Sequence, residues 1–244
     1  MNDRFCTVLA VHSDHRRDLA WTTAQRLAHV AGLPLTRFEL TGPDRAGLVA
    51  PSDRRAVVDV ASAIKSRAGA LVVFDALGGG PDADRLYDVD AEHLLANVPL
   101  PMLVFGPHAT LDVDRSILLI AADAGDASTA SASVAAAWTA TFGATPVAVV
   151  GMESPDSWPT DIADPGVDGP GQLAAALAST GIAVELRRFR TLDPADALIE
   201  AATLEPGGVL VIPAARFPTA LDHWFSTSRR LIRHAPRPVL LVPG

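Results

Sequence analysis

The sequence predicts an α/β fold in which two half-domains of one design follow each other, the second being the more complete copy. Three observations carry this. Short apolar, β-branched runs alternate with helix-like stretches along all 244 residues. Two distant segments end almost alike, each with a helix end, a Pro-x-Pro turn and a four-residue apolar strand. Two further pairs of positions repeat at one constant spacing.

The apolar runs are Thr7–Val11, Leu71–Phe74, Met102–Phe105, Ile117–Ala121, Pro146–Val150, Val184–Arg187, Val209–Ile212 and Val239–Val242. Short continuous runs of this kind fit strands buried on both faces, as in a parallel sheet. Between the first two lies Asp14–Ala31, an amphipathic helix with Leu19, Ala20, Thr23, Leu27 and Val30 as its inner face. Ala127 to Met152 contains no charge and is long enough to span a bilayer. Gly143 and Pro146 interrupt it, so it reads as a buried helix followed by a buried strand. A Pro/Gly/Asp-rich loop (Glu153–Gly171) and a helix (Gln172–Thr180) come next. Pro194–Ala202 follows Asp193, an N-cap with proline at the first helical position. Strand and helix in alternation imply right-handed crossovers over a parallel sheet.

The repeat fixes the organisation. Asn97-Val-Pro-Leu-Pro-Met-Leu-Val-Phe105 matches His234-Ala-Pro-Arg-Pro-Val-Leu-Leu-Val242 at an offset of 137. Val8–His12 matches Leu119–Asp123, and Gly32 matches Gly143, both at an offset of 111. The difference of 26 residues falls between about Val150 and Thr191, where the first copy has only Thr41–Asp53. The first copy is therefore expected to lack a helix and an edge strand. Residues 1–108 and 114–244 are the expected domains, joined by a linker at Gly106–Arg115.

Composition narrows the functional classes. Hydrophobic residues make up 49% and charged residues 20%, enough to build cores with a solvated surface. A net charge of -8 disfavours nucleic acid or an anionic membrane as the main partner. Cys6 is the only cysteine, which excludes an internal disulfide and a Cys-based zinc site. The N-terminal residues run into a strand without a signal-peptide layout, so a cytoplasmic protein is expected.

The second half resembles the universal stress protein family. The resemblance rests on Leu119–Asp123, a first strand ending in an acid, and on Leu192-Asp-Pro-Ala-Asp-Ala-Leu-Ile-Glu-Ala-Ala202. It rests further on Gly208–Ile212 and, most specifically, on Ser226-Thr-Ser-Arg-Arg-Leu-Ile-Arg-His-Ala-Pro-Arg-Pro-Val-Leu-Leu-Val242. It implies two Rossmann-like, flavodoxin-like parallel sheets in tandem, each complete one of strand order 3-2-1-4-5, the first copy truncated. The final strands, Met102–Phe105 and Val239–Val242, are edges in that topology. Edges invite pairing, so they are expected to meet within the chain or across a homodimer.

In ATP-binding relatives an Asp after strand 1 lies near adenine and ribose. A Gly-x-x-Gly loop after strand 4, followed later by Gly-Ser/Thr, holds the phosphates. Glycines let backbone N–H groups approach oxygen anions, and a helix N-terminus adds a positive field. In the second half Asp123 stands at the adenine position. The glycine positions fall at Ile212 or Pro213, at Ala215 and at Phe225, and the hydroxyl position is kept by Ser226, followed by Thr227. Pro213 and Pro218 lack N–H donors. In the first half, Asp75 replaces the first glycine, and Gly78, Gly79 and Gly80 follow. His12 replaces the acid of strand 1, and Asp88-Val89 replaces the Gly-Ser pair. ATP as cofactor is thus disfavoured in both copies, with Asp123, Ala215, Ser226, Thr227 and Gly78–Gly80 as the nucleotide candidates.

Other constellations read as structural. His12-Ser13-Asp14-His15 has the residue types of a catalytic triad, but adjacent residues cannot converge as one. The acidic string Asp82, Asp84, Asp88, Asp90, Glu92 lacks the spacing of a calcium loop. Arg229, Arg230, Arg233 and His234 complement the field at a helix end. Trp21 and Trp138 pack helices on the sheet, while Trp158 and Trp224 fall in loops. The expectation is a non-enzymatic protein of stress-response type that acts through dimerisation or weak ligand sensing. An adenine-nucleotide switch is the alternative, and a nucleotide-dependent enzyme of a related α/β superfamily the second.

Overall fold

Strands buried on both faces must satisfy their backbone groups through neighbouring strands, and here one nine-stranded sheet does so. The structure, a computed structural model, describes residues 4–13, 19–40, 59–75, 98–115, 117–121, 127–143, 147–153, 169–190, 193–214, 228 and 230–243. The strands are β1 (Thr7–Ser13), β2 (Leu35–Leu40), β3 (Ala70–Asp75), β4 (Met102–Phe105), β5 (Ile117–Ala121), β6 (Val147–Glu153), β7 (Val184–Arg190), β8 (Gly208–Ala214) and β9 (Val239–Pro243). The helices are α1 (Leu19–Ala31), α2 (59–65), α3 (Ala127–Phe142), α4 (Gly169–Ser179), α5 (Pro194–Leu204) and α6 (230–234). The sheet order is β2-β1-β3-β4-β9-β8-β5-β6-β7.

Counted in chain order, the strands from β5 onward lie 3-2-1-4-5, and those up to β4 lie 2-1-3-4. All neighbours are parallel except β4 and β9. Those two pair antiparallel, with Met102 opposite Leu241, Leu103 opposite Leu240 and Val104 opposite Val239. Leu103 and Leu240 are equivalent positions at the offset of 137, so the pairing is symmetric about them. An antiparallel register of this kind is what a two-fold axis between the two strands would give. Both strands are internal to the sheet, so neither offers a free edge to a second copy. Of the two expected ways for these strands to meet, the structure shows the one within the chain.

Alternating strand residues feed two cores. Val8, Ala10, Leu71, Val73, Leu103, Leu118, Ile120, Val209, Val211 and Leu240 face α1, α3 and α4. Leu9, Val11, Val72, Phe74, Val104, Leu119, Leu210, Ile212 and Leu241 face α2, α5 and α6. Helices on both faces explain why these strands read as unbroken apolar runs.

The repeated glycines have one job. Gly32 (φ 64) and Gly143 (φ 98) end α1 and α3 in the left-handed region. After α1 the Leu33 N–H bonds back to Ala28 O at 2.8 Å, a glycine-stopped helix end. The halves also touch through α1 and α3. Phe5 packs against Phe142 at 6.0 Å between ring centroids, and its N–H donates to Thr141 Oγ1 at 2.9 Å.

Two expectations are corrected. Val30 is 49% exposed, and the inner face of α1 is instead Ala20, Thr23, Ala24, Leu27 and Ala28, with Leu19 partly buried beside it. The helix turns by about 100° per residue, and the small alanines let it lie close to the strands. Strand β2 was not expected. It borders the sheet, where polar Thr36, Arg37 and Glu39 break the apolar run. Trp138 is fully buried as expected, whereas Trp21 is half-buried under the Arg37 guanidinium, 5.1 Å from the ring centre.

Candidate functional site

Ligands of open α/β sheets bind beyond the carboxyl ends of the strands, where the order reverses. This chain has two such places, between β1 and β3 and between β5 and β8. The nucleotide candidates Asp123, Ala215, Ser226, Thr227, Gly78, Gly79 and Gly80 all lie outside the described residues, as do Phe225, Trp158 and Trp224. What the structure describes is the ground from which they extend. Asp123 follows β5, which ends at Ala121, and Ala215 follows the last residue of β8. Ser226 and Thr227 precede Ser228, whose side chain is buried.

Register gives the counterpart of Asp75 in the second half. Asp75 pairs with Phe105, and Pro213 pairs with Val242, the repeat equivalent of Phe105. Pro213 is thus the counterpart of Asp75, and Ile212 before it is a core residue of β8 at 2% exposure. A phosphate loop cannot begin on Pro213 as it does on glycine, because proline supplies no N–H and fixes φ.

In the first half Asp75 closes β3. Its side chain is buried at 7% exposure, and its Oδ2 accepts the Ala20 N–H at 3.2 Å. Ala20 is the second residue of α1, which follows β1 and packs against β3. A carboxylate there meets the positive end of the helix. The sequence marks Asp75 as a departure from glycine; the N–H that it engages needed the three-dimensional structure.

Three arginines of the second half are committed to structure. The Asp193 side chain caps α5, with Oδ1 accepting the Ala195 N–H at 2.8 Å. Arg230 of α6 bridges Asp193 and Asp196, reaching Asp196 Oδ1 at 2.6 Å. These groups are about half exposed, so the bridge orients two helices more than it stabilises them. Arg187 of β7 pairs with Glu205 at 2.6 Å and Glu185 at 2.8 Å. Its hydrogen bond holds Glu185 below the usual glutamate range, and the two acids hold the guanidinium above its own. Arg237 donates to the Glu205 carbonyl at 2.9 Å and to Thr110 Oγ1 at 2.6 Å, tying the linker to the end of α5. Partial burial pulls its guanidinium down. Among the described residues no cluster of three or more His, Cys, Asp or Glu is placed to hold a metal ion. No helix among them is long and apolar enough to cross a membrane.

The fold defines a class: a nine-stranded, mostly parallel sheet with helices on both faces, the fold of universal stress proteins. A universal stress protein from Archaeoglobus fulgidus DSM 4304 superimposes with a TM-score of 0.61 at 13% identity, over 96% of this chain and 98% of that one. A protein of Pseudomonas aeruginosa UCBPP-PA14 described as a universal stress protein gives 0.59 at 17% identity, over 99% and 94%. The cytoplasmic domain of a prokaryotic cation chloride cotransporter gives 0.50 at 11% identity, over 97% and 95%. No protein-family model matches the sequence, and no curated protein matches it.

Proposed function

We propose that this chain is a non-enzymatic, cytoplasmic protein of stress-response type, built as two copies (1–108 and 114–244) that form their dimer internally. The observation that carries this reading is the symmetric β4–β9 pairing about Leu103 and Leu240. It supports reading the two halves as counterparts of the subunits of a two-fold dimer, with both strands covered. The protein acts through this fixed double scaffold, by association or weak ligand sensing, and not through ordinary ATP binding. Pro213 and Asp75 at the two glycine positions support that last point. Any retained sensing is assigned to the second half, with Asp123, Ala215, Ser226 and Thr227 lining the ligand.

Two measurements test the reading. Light scattering on the purified chain is expected to return the monomer mass of 25.5 kDa. Denaturing the protein should release no bound nucleotide, and millimolar ATP should leave the melting temperature in place. A dimer that dissociates when Leu103 or Leu240 is changed to Lys would overturn the internal pairing. Released adenine nucleotide would favour the switch instead.

A further inference from the structure

One side chain fastens the linker to the second half. Thr110 lies mid-way along Gly106–Arg115, and its N–H donates to the Pro236 carbonyl at 3.1 Å. The residue after Pro236, Arg237, reaches the same place. Its Nη1 donates to Thr110 Oγ1 at 2.6 Å and to Pro236 O at 3.3 Å, and its Nε donates to Glu205 O at 2.9 Å. Glu205 O also accepts the Gly208 N–H at 3.0 Å, at the start of β8. One guanidinium thus joins the linker, the turn before β9 and the turn before β8. The rest of the linker is held elsewhere. Asp114 pairs with Arg26 of α1, Ala109 is buried, and Leu111 and Val113 pack against the core under α1 and α3. We infer that Arg237 is a latch that turns the linker from a tether into a strut. It pins Thr110 to the second half while Asp114 stays with α1. The halves then have two separable fastenings, this latch and the β4–β9 seam, and opening the latch frees the linker while the seam stays paired.

Two features single Arg237 out. At the offset of 137 its counterpart is Leu100, a buried residue whose side chain has nothing to donate. Arg187 and Arg230 face carboxylates, whereas among the described residues the Arg237 guanidinium meets only two carbonyls and a hydroxyl. Partial burial without a counter-ion disfavours the charged form, and hydrogen bonds from a charged donor offset that. The three acceptors belong to three separate segments, so the bonds that keep the charge in place are the same ones that hold the segments together.

This inference rests on the proposed function only for the division into two copies. The test is ¹⁵N relaxation of the full labelled chain, which reads backbone order residue by residue. In the unaltered chain the Thr110 amide is expected to show the order parameter of rigid backbone, about 0.85. Arg237→Leu installs the first copy's residue, and the value at Thr110 should fall to about 0.6 or below, while Leu103 and Leu240 in the seam stay near 0.85. A Thr110 amide that is already loose in the unaltered chain overturns the inference. So does one that stays rigid in Arg237→Leu, or a seam that loosens along with it. Should Arg237→Leu fail to fold, Thr110→Val removes only the hydroxyl that Arg237 holds, and an amide at position 110 no looser than before is equally fatal. A dimeric mass in light scattering would sink the proposed function and leave these order parameters where they are, so the two failures are distinguishable.

Discussion

Replacing Gly106 by alanine tests the packing between the halves at its tightest point. Gly106 follows β4, and a Cβ built on it would lie 1.7 Å from the Ile232 carbonyl oxygen and 2.9 Å from the Ile232 carbonyl carbon. Ile232 belongs to α6 of the other half. Its carbonyl would ordinarily receive the N–H four residues on, but that residue is Pro236, which has none. An ordinary carbon–oxygen contact is about 3.3 Å, so one backbone must retreat by about 1.6 Å. No side chain can rotate away to allow this. Overpacking of well-packed cores costs about 1–3 kcal/mol and occasionally more, and a clash between two backbones belongs at the upper end, about 3 kcal/mol. For a chain of this size that lowers the melting temperature by about 6–12 °C. Urea unfolding followed by circular dichroism would read the loss as a lower midpoint at unchanged slope. A Gly106→Ala chain within about 0.5 kcal/mol of the original would refute the close approach of the linker to α6.

Other substitutions should separate backbone strain, packing and charge. Gly32→Ala and Gly143→Ala place Cβ atoms in open space at positive φ, so each should cost only about 1–2 kcal/mol of urea stability. Trp138 is fully buried, but its Nε1 has no hydrogen-bond partner among the described residues. Trp138→Ala should therefore cost about 3–5 kcal/mol, while Trp138→Phe, which removes the orphan donor, should stay within about 1 kcal/mol in the same assay. Glu185 is held below its ordinary 4.5 by Arg187, so its contribution is complete above that value and fades as pH falls through the lowered one. Glu185→Gln should flatten this acid limb of a stability–pH curve slightly, and high salt should erase the difference because Glu185 is exposed.

Most of the fold was legible in the sequence because most strands are buried on both faces. Met102–Phe105 and Ile117–Ala121 stand within their expected bounds, and the others begin or end within a few residues of them. The charge-free run from Ala127 resolves into α3 and β6, divided near Gly143. Strand β2 escaped because an edge strand has one neighbour and carries polar residues, which dilutes the apolar signal that marks a buried strand. The expected stripe takes in the large Val30 and passes over two alanines that the structure buries. Ala24 and Ala28 are the residues that bring α1 onto the sheet. The candidate site was legible as departures from a pattern, at Asp75 and at Ile212 or Pro213. Which of the last two held the position depended on register with β9, and what Asp75 does depended on where α1 begins. Arg230 was read as a complement to its own helix end, while its carboxylate partners lie more than thirty residues away in sequence.

The antiparallel seam between β4 and β9 has an evolutionary consequence. In a dimer of identical chains, a mutation near the two-fold axis appears twice and meets its own image. Leu103 would face another Leu103, and any change there would have to tolerate itself. Here the residue across the seam is Leu240, encoded separately. Each side can change alone, and each crevice can drift without dragging its twin along. An aspartate in one crevice and a proline at the matching place in the other is the kind of divergence that such freedom permits.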